Sequence, residues 1–465
     1  MKNRLINISI AILLTSILFT ATACNDMPLN EADLIESNPI ETHDNIEMLV
    51  DTFQMAQDEA EMPTGMFPAI HIEFELPLDR YVWGDAIVTM SGTADEFAFD
   101  GIDGRIRGRG NSSWRLEKQP FRIRFDEPRT MLDSDHAARD WTFIANHSDK
   151  SLMRNYSAYY LATLLDGMYF APFARFVDVY FNGEYQGVYM LCIQVQVNEG
   201  RAELTCDPDP TISEFLIEMD SRVPYDDDSE EGVTFVTVHY RHYDILFPRG
   251  DELTSAHVEY IRDYLTRIGE LIYAQDPTVF EYVHLPSLID FYIVQELYKN
   301  VDVAYSSIFM QIRGQDEERR LEMGPVWDFD VSAGNAYFQG RNREGREYYP
   351  YYYSPHGLWA AWTNRWFRSL ILMPEFLDAT ADRWNEIRDE EIRRTLAQIR
   401  FMATHYKLAF ERNFERWPIL GEYVWPNPDR VVEIDTFMGQ VDYLLEFLEI
   451  RAEAFGDYLN RERSS

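Results

Sequence analysis

Apolar and polar residues alternate over much of the first half of the chain, which is the pattern expected of β-strands. From Phe67 onward the alternating segments are short and are bounded by Gly, Pro and Asp, as strands joined by turns usually are. The clearest of these segments are AIHIEFELP, AIVTMSG, RIRGRGNSSW, PFRIRFD, Phe215–Met219 and Thr234–His239. Together they predict a mainly antiparallel sheet.

The pair Asn182-Gly183 lies between two alternating runs and predicts a tight β-hairpin. Helical spacing predicts one helix before this hairpin and several after about Glu252. The predicted helices are Ser151–Leu165, Ala256–Ala274, Leu285–Asn300, Pro374–Glu415 and Val431–Leu459. The pattern therefore predicts an α+β protein with a sheet-rich lobe over about residues 66–250 and a helical lobe over about residues 251–465.

The first residues have the pattern of a bacterial secretory signal peptide. Lys2 and Arg4 precede a largely apolar run, and the small residues 20–23 precede Cys24. This arrangement predicts removal of residues 1–23 and a lipid on Cys24 that anchors an exported chain to the cell membrane or surface. An ordinary signal peptide or an uncleaved anchor is the alternative. Residues 24–65 are polar and acidic and are predicted to be a tether.

The charge balance limits the partners that this chain can have. Lys and Arg together number 42 against 79 Asp and Glu, which gives a net charge of −37, while the hydrophobic content of 46% is enough to fill a large core. Such an acidic chain is not expected to bind nonspecifically to DNA, RNA or anionic lipid headgroups. An exported location permits a disulfide between Cys192 and Cys206, although Cys192 could equally be a plain buried residue.

Two carboxylates flank one aromatic residue in the segment LEMGPVWDFDVSAGN, residues 321–335. In an extended segment Asp328 and Asp330 lie on the same side, where carboxylates can hold a divalent cation against phosphate oxygens. The alternative is a turn followed by solvated acids. Further upstream Asp302 follows an apolar helix and Ser307 lies five residues later, which is the spacing that protein kinases keep between a catalytic Asp and a metal-binding Asn.

Cationic residues and glycines form a second group of candidates. Gly108 and Gly110 lie among arginines and could let backbone amides approach phosphates, or they could form only a bulge or a hairpin corner. Alternation over residues 121–125 places Arg122 and Arg124 on one strand face, which suits either an anionic ligand or a salt-bridged sheet surface.

Two further cationic residues belong to this group. Lys150 and Arg154 share a face at the start of the predicted helix Ser151–Leu165, where they could reach phosphate. The polar residues around them, Ser148 and Asp149, could instead do no more than cap the helix.

The motifs RGRGNSSW, KQPFRIRFD, ANHSDKSLMRN, NGEYQGVYML, ELYKNVDVAYSS and GPVWDFDVSAGN occur in this order along the chain. Over roughly residues 67–335 they closely resemble the spore-coat CotH kinase family, an atypical branch of the kinase-like fold. The resemblance implies two lobes with ATP and Mg²⁺ or Mn²⁺ in the cleft between them. It also implies transfer of the γ-phosphoryl group to a Ser or Thr hydroxyl of a protein substrate.

The resemblance implies roles for particular residues. Asp302 looks like the catalytic Asp that orients the acceptor hydroxyl, and Asp328 looks like the main metal ligand. Asp330 and Ser307 support that ligand, with the Ser hydroxyl standing where kinases have an amide. The candidates for the nucleotide phosphates are Gly108, Gly110, Lys118, Arg122, Arg124 and Arg154, with Lys118 or Arg124 as the main neutralising cation.

One residue departs from the family pattern. Ile193 stands before Gln194 where the family usually has Glu. Loss of that Glu would weaken nucleotide or cation binding, unless Glu199 or Glu218 takes its place.

A noncatalytic scaffold with the same fold is therefore the alternative function. Clustered aromatics in the segment of residues 348–362 are typical of recognition surfaces and support it. A carbohydrate-active enzyme, which needs paired carboxylates, is a weaker third option.

Overall fold

The computed structural model of the protein describes residues 67–222, 234–337 and 353–464. The predicted signal peptide, Cys24, the predicted tether and residues 348–352 of the aromatic segment lie outside these ranges. Within them, no helix is both long enough and apolar enough to cross a membrane. The predicted α+β class is confirmed, because strands dominate the N-terminal part and helices the C-terminal part.

Seven strands form a closed barrel in the order β1-β2-β3-β4-β5-β7-β6. They are Ala69–Phe74 (β1), Gly84–Ser91 (β2), Phe99–Gly108 (β3), Phe121–Arg129 (β4), Ala138–Ile144 (β5), Ala174–Phe181 (β6) and Glu184–Ile193 (β7). The predicted antiparallel pairing is confirmed for all neighbours except β1 and β6, which pair in parallel and close the barrel. Closure removes the unpaired edges that an open sheet would expose.

The barrel interior is apolar and the predicted hairpin is present. Asn182 (φ 49°) and Gly183 (φ 84°) both have positive φ and join β6 to β7, as a two-residue hairpin turn requires. Alternate residues of the strands fill the interior, among them Ile70, Ile72, Val88, Ile106, Ile123, Trp141, Val177 and Leu191. The face of each strand that does not contribute to this core is left for other contacts.

A second, antiparallel sheet has the order β12-β11-β8-β10-β9. Its strands are Phe215–Met219 (β8), Phe235–Val238 (β9), Arg241–Phe247 (β10), Ile308–Arg313 (β11) and Arg320–Met323 (β12). The helical spacing beyond about Glu252 did not predict β11 and β12. These strands are only six and four residues long, and β11 pairs with β8, which lies far away in the sequence.

The described helices pack against both sheets and against one another. They are Arg154–Leu164 (α1), Ser255–Ala274 (α2), Leu285–Leu297 (α3), Ala360–Thr363 (α4), Arg365–Leu370 (α5), Pro374–Ile387 (α6), Arg393–His405 (α7), Lys407–Arg416 (α8), Asp429–Val432 (α9) and Phe437–Ser464 (α10). The helix predicted over Pro374–Glu415 is divided into α6, α7 and α8, with a π-helical turn at Arg388–Ile392 between the first two.

Cys192 and Cys206 do not form a disulfide. Both thiols are free, and Cys192 is fully buried in β7. Burial raises the pKa of the Cys192 thiol to about 12, so this residue is a neutral core side chain. The second of the two alternatives for Cys192 is therefore confirmed.

A buried ion pair ties α3 to α10 and to the segment of residues 354–361. The carboxylate of Glu296 accepts from Nη2 of Arg451 and from the backbone N–H groups of Trp359 and Ala361. Arg451 in turn donates to the carbonyl oxygen of Gly357 over 2.8 Å. The helix that ends just before Asp302 is thereby fixed on two sides.

Replacing Glu296 with Gln is expected to lower the free energy of unfolding by about 3 kcal/mol, because it leaves the Arg451 charge buried without its counter-ion. Urea unfolding followed by circular dichroism measures the change. Glu446→Gln is the matched control, since the Glu446–Arg430 pair is exposed and should change stability by less than about 1 kcal/mol. Equal losses in the two variants would contradict this account of the buried pair.

Candidate active site

Three aspartates from two loops form an acidic cluster beside the second sheet. Asp302 lies in a 3₁₀ turn, Val301–Ala304, that directly follows α3. Asp328 and Asp330 lie in the loop after β12. The charge of Asp328 acts on both Asp302 and Asp330, so the fold brings together the three carboxyl groups that the sequence singled out.

Ser307 contributes to this cluster from the residue before β11. Its hydroxyl donates to Oδ2 of Asp328 over 3.2 Å. Ser307 (φ 58°) and Asp328 (φ 65°) both have a left-handed backbone, which costs of order 1 kcal/mol or more for residues other than Gly. Asp328 is therefore not part of an extended strand, and the expectation that strand alternation aligns it with Asp330 is wrong. Tertiary contacts bring the two side chains together instead.

Two members of the acidic cluster, Asp302 and Asp330, hold their protons more strongly than an ordinary aspartate. Burial, followed by the negative charge of Asp328, raises the pKa of Asp302 to about 7. Burial and the charges of Asp328 and Asp302 raise the pKa of Asp330 well above its usual value, and Asp330 hydrogen bonds to Asp328. A bond between two carboxyl groups requires a shared proton, so a proton lies where a cation could also neutralise the pair.

Arg154 binds the backbone of the loop that carries Asp328 and Asp330, called the acidic loop below. Its guanidinium donates to Asp149 over 2.5 Å and to the carbonyl oxygens of Ser332 and Ala333 over 3.0 Å each. The side chain is fully buried. The structure thus gives Arg154 a structural position behind the acidic loop, where the sequence predicted a phosphate ligand.

Three asparagines complete this support. Asn155 accepts a hydrogen bond from the backbone N–H of Phe329 over 2.6 Å, and Asn335 donates to the carbonyl oxygen of Asp330 over 2.8 Å. Asn427 donates to the side chain of Asn335 over 2.8 Å. The sequence did not single out these residues, because Asn155 and Asn427 lie far from the loop along the chain.

An arginine and two acids of the second sheet border the cluster. Arg222 forms a two-point salt bridge with Asp220, with distances of 2.9 and 2.7 Å, and its positive charge opposes the rise in the pKa of Asp302. Burial, followed by the charge of Asp220, raises the pKa of Glu218 well above its usual value, and the charge of Asp328 adds to this effect. Glu218 therefore lies within the electrostatic reach of the cluster.

Arginines form a cationic face on the barrel near this acidic cluster. Arg107 and Arg105 of β3 lie directly opposite Arg122 and Arg124 of β4. Burial, followed by the charge of Arg109, lowers the pKa of Arg122 to about 9. Like charges placed opposite each other on a sheet destabilise it. This face is therefore suited to an anion.

Two further observations concern the side chains of this cationic face. Arg124 forms an ion pair with Asp140 over 2.9 Å, which is the salt-bridged alternative that the sequence left open. Among the described residues, Nε of Arg122 is buried and has no hydrogen-bond partner.

Arg109 connects the cationic face to the acidic cluster. Its guanidinium carbon lies 5.9 Å from the ring centre of Trp327, the residue before Asp328. The ring of Trp327 stacks on Tyr159, and the charges of both Asp328 and Arg109 act on the Tyr159 hydroxyl. Arg109 is therefore within electrostatic reach both of the cationic face, through Arg122, and of Tyr159, on which the charge of Asp328 also acts.

The ammonium group of Lys118 is occupied by acceptors within the protein. Its Nζ donates to the carbonyl oxygens of Ala145 and Val188 and to Oδ1 of Asn413. An ammonium group has three N–H donors, and these acceptors take all of them. Lys118 therefore bonds the barrel to α8, and of the two cations that the resemblance left open, Arg124 is the one on the cationic face.

The two glycines have structural reasons for their size. A Cβ on Gly108 would lie 2.2 Å from the ring of Trp114, and a Cβ on Gly110 would lie 2.2 Å from Oγ of Ser113. Gly110 also has a positive φ of 87°. Both contacts agree with the alternative in which the glycines form a tight corner.

The departure at Ile193 is a packing feature. Ile193 is 6% exposed and belongs to the apolar barrel core. Glu199 is one of the two candidates to replace the missing acid. Its side chain is 82% exposed, and its Oε1 lies 4.0 Å from Nδ1 of His136. Glu218 is the candidate that lies near the acidic cluster.

The residues of the acidic cluster fit a magnesium-type cation. In the described parts of the chain, no group of three or more His, Cys, Asp or Glu side chains is arranged so that it could hold a metal ion by itself. Mg²⁺ is usually held by one or two carboxylates together with phosphate oxygens and water, so a complete cage is not needed. Asp328 and Asp330 supply the oxygen ligands that Mg²⁺ and Mn²⁺ prefer, and Ser307 is bonded to one of them.

Comparison with known families agrees with this arrangement. The family model described as CotH kinase protein matches residues 106–455, which is more than half of the chain. The chain therefore belongs to the CotH kinase family. No curated protein matches the chain at a significant level.

Asp302→Asn is expected to make the protein more stable than the wild type at alkaline pH. The folded-state pKa of Asp302, about 7, lies above its unfolded value, so the stability that its proton contributes is complete below about pH 4 and is lost as the pH rises through 7. Asn has no such charge. The advantage of the variant should therefore grow by more than about 1 kcal/mol between pH 5 and pH 8.

Urea unfolding of the ligand-free proteins at several pH values measures this difference. Asp263→Asn is the control, because Asp263 is exposed on α2 and its replacement should have the same small effect at every pH. A difference between wild type and Asp302→Asn that does not depend on pH would show that Asp302 is not held in its protonated form.

Proposed function

We propose that this member of the CotH kinase family is an ATP-dependent protein kinase with a kinase-like two-lobed fold. It is exported, anchored to the bacterial cell membrane or surface by a lipid on Cys24, and phosphorylates Ser or Thr of surface or secreted proteins. The proposal rests on one observation above all. Arg109 lies beside Trp327, the residue before Asp328 of the acidic cluster, and its charge acts on Arg122 of the arginine face, so one side chain links carboxylates suited to a divalent cation with guanidinium groups suited to phosphates.

Charge neutralisation and positioning make up most of the catalysis of phosphoryl transfer. Asp328 and Asp330, with Ser307, would hold Mg²⁺ or Mn²⁺. A divalent cation held by these residues would supply neutralisation of the charge that develops on the phosphate oxygens. The arginine face, above all Arg122, would bind the phosphate oxygens that the cation leaves exposed.

Asp302 is the residue placed to handle the acceptor proton. It belongs to the acidic cluster but lies on a different loop from Asp328 and Asp330. With a pKa of about 7, its carboxyl group is partly ionised at neutral pH and can accept a proton from a hydroxyl that it orients. The positive charge of Arg222 favours the ionised form.

A noncatalytic scaffold is the second candidate, and Ile193 is the observation that favours it, because an apolar core side chain occupies the position where an acid was expected. The aromatic segment gives this candidate less support. In its described part, residues 353–362, Trp359 is 2% exposed and its indole N–H donates to the carbonyl oxygen of Asn300 over 2.6 Å. This tryptophan packs against the loop of Asp302 and is not part of a recognition surface.

Kinase activity predicts that the full chain transfers ³²P from γ-labelled ATP to protein in the presence of Mg²⁺ or Mn²⁺. Asp302→Ala and Asp328→Ala should each reduce the transfer by at least about 100-fold. Asp263→Ala, on the exposed face of α2, should retain the wild-type rate. Wild-type transfer in both site variants would disprove the assignment, and the absence of an ATP-dependent rise in unfolding temperature would favour the scaffold.

Arg122→Gln is expected to change binding and stability in opposite directions. Loss of a charged hydrogen-bond donor should raise the Kd for Mg²⁺-ATP by about tenfold, measured by isothermal titration calorimetry. Relief of arginine repulsion should at the same time increase the free energy of unfolding of the ligand-free protein. Arg139→Gln, an exposed barrel position, is the control and should change neither. An unchanged Kd in Arg122→Gln would remove the cationic face from the nucleotide site.

A further inference from the structure

A second cationic cavity lies where the five-stranded sheet meets α2 and α5. Its apolar lining consists of Met219, Ile308, Met310, Met323 and Phe367. Its polar lining consists of Arg241, Tyr243, Tyr273, Asn364, Arg365 and Trp366. These groups take no part in the phosphoryl transfer proposed above.

Strand alternation separates this cavity from the acidic cluster. Met219 lines the cavity, whereas the preceding residue, Glu218, points to the opposite face of β8 and lies within the electrostatic reach of Asp328. One residue connects the two places. Asn364 lines the cavity and donates to the carbonyl oxygen of Val303, which follows Asp302, over 2.9 Å.

Two arginines of the polar lining, Arg241 and Arg365, place positive charge near Tyr273. The guanidinium carbon of Arg365 lies 5.5 Å from the ring centre of Tyr273. The charges of both Arg365 and Arg241 act on the Tyr273 hydroxyl. Although acids outnumber bases by 79 to 42 in the whole chain, none of the described residues that line this cavity is acidic. The local balance of charge is therefore the reverse of that of the protein as a whole.

The tyrosine hydroxyls add hydrogen-bond donors to these charges. Burial raises the pKa of both Tyr243 and Tyr273, so their hydroxyls stay protonated at neutral pH. Trp366 hydrogen bonds to the Tyr273 hydroxyl. Because an indole N–H can only donate, the Tyr273 oxygen accepts this bond, and its own proton remains available for another acceptor.

We infer that this cavity binds a single oxyanion, a phosphate or a carboxylate group. Two arginines and two tyrosines belong to its lining, and guanidinium groups bind the oxygens of both anions in pairs. The apolar part of the lining carries no carboxylate that would compete for them. The site is distinct from the nucleotide site, and Asn364 places its occupant next to the loop that carries Asp302.

The test follows Trp366 directly. The full chain is labelled with 5-fluorotryptophan, and Trp366→Phe identifies the ¹⁹F resonance of Trp366. Inorganic phosphate and, in a second arm, acetate are titrated at constant ionic strength without nucleotide. Saturable movement of this resonance with phosphate alone assigns the site to phosphoryl groups, and movement with both anions extends it to carboxylates. Arg365→Gln should raise the Kd by about tenfold, because a charged hydrogen bond is lost.

Two controls make the outcome decisive. Arg262→Gln, an exposed position on α2 outside the cavity, should leave the titration unchanged. Arg122→Gln should also leave it unchanged, because that residue belongs to the proposed nucleotide site, so failure of phosphoryl transfer would not affect this result. The inference is overturned if neither anion moves the Trp366 resonance, or if Arg365→Gln titrates like the wild type.

Discussion

Repulsion among three neighbouring, half-buried carboxyl groups is the constraint on which the arrangement of this protein depends. Asp302, Asp328 and Asp330 lie close enough that burial and mutual charge raise the pKa of Asp302 and Asp330. A folded protein keeps such a cluster only if other contacts outweigh the cost. A cation in place of the shared proton would lower this electrostatic cost. The cluster is therefore expected to attract positive charge.

The surrounding contacts hold this cluster in place. Arg154 and Asn155 of α1 bond the backbone of the acidic loop, and Glu296 with Arg451 fixes the end of α3, from which the turn of Asp302 starts. The left-handed backbone of Asp328 persists because these bonds determine the path of the loop. Barrel, helices and second sheet thus each contribute one side of the site.

The sequence predicted the parts of this structure that depend on local pattern. The Asn182-Gly183 hairpin and the long helices α2 and α3 follow from turn chemistry and apolar spacing. The motifs identified Asp302, Asp328 and Asp330 because each lies in a short recognisable segment. Spacing alone could not give the left-handed backbone at Asp328.

Features that depend on contacts between distant segments were not predictable in this way. The parallel closure of β1 on β6 and the pairing of β11 with β8 are examples. Lys118 was expected near phosphates because of its sequence neighbours, yet its ammonium group bonds Asn413, almost three hundred residues away. The supporting role of Arg154 likewise needs the carbonyl groups of Ser332 and Ala333, which no local pattern places beside it.

The central claim is that the acidic cluster and the arginine face together hold a metal-nucleotide complex. A crystal structure with Mn²⁺ and a non-hydrolysable ATP analogue, with anomalous scattering to locate the metal, tests it most directly. The account predicts a Mn²⁺ peak bound to the carboxylate of Asp328, with Asp330 beside it and the phosphate chain extending toward Arg109 and Arg122. A metal bound elsewhere, or a nucleotide whose phosphates do not contact the arginine face, would contradict it.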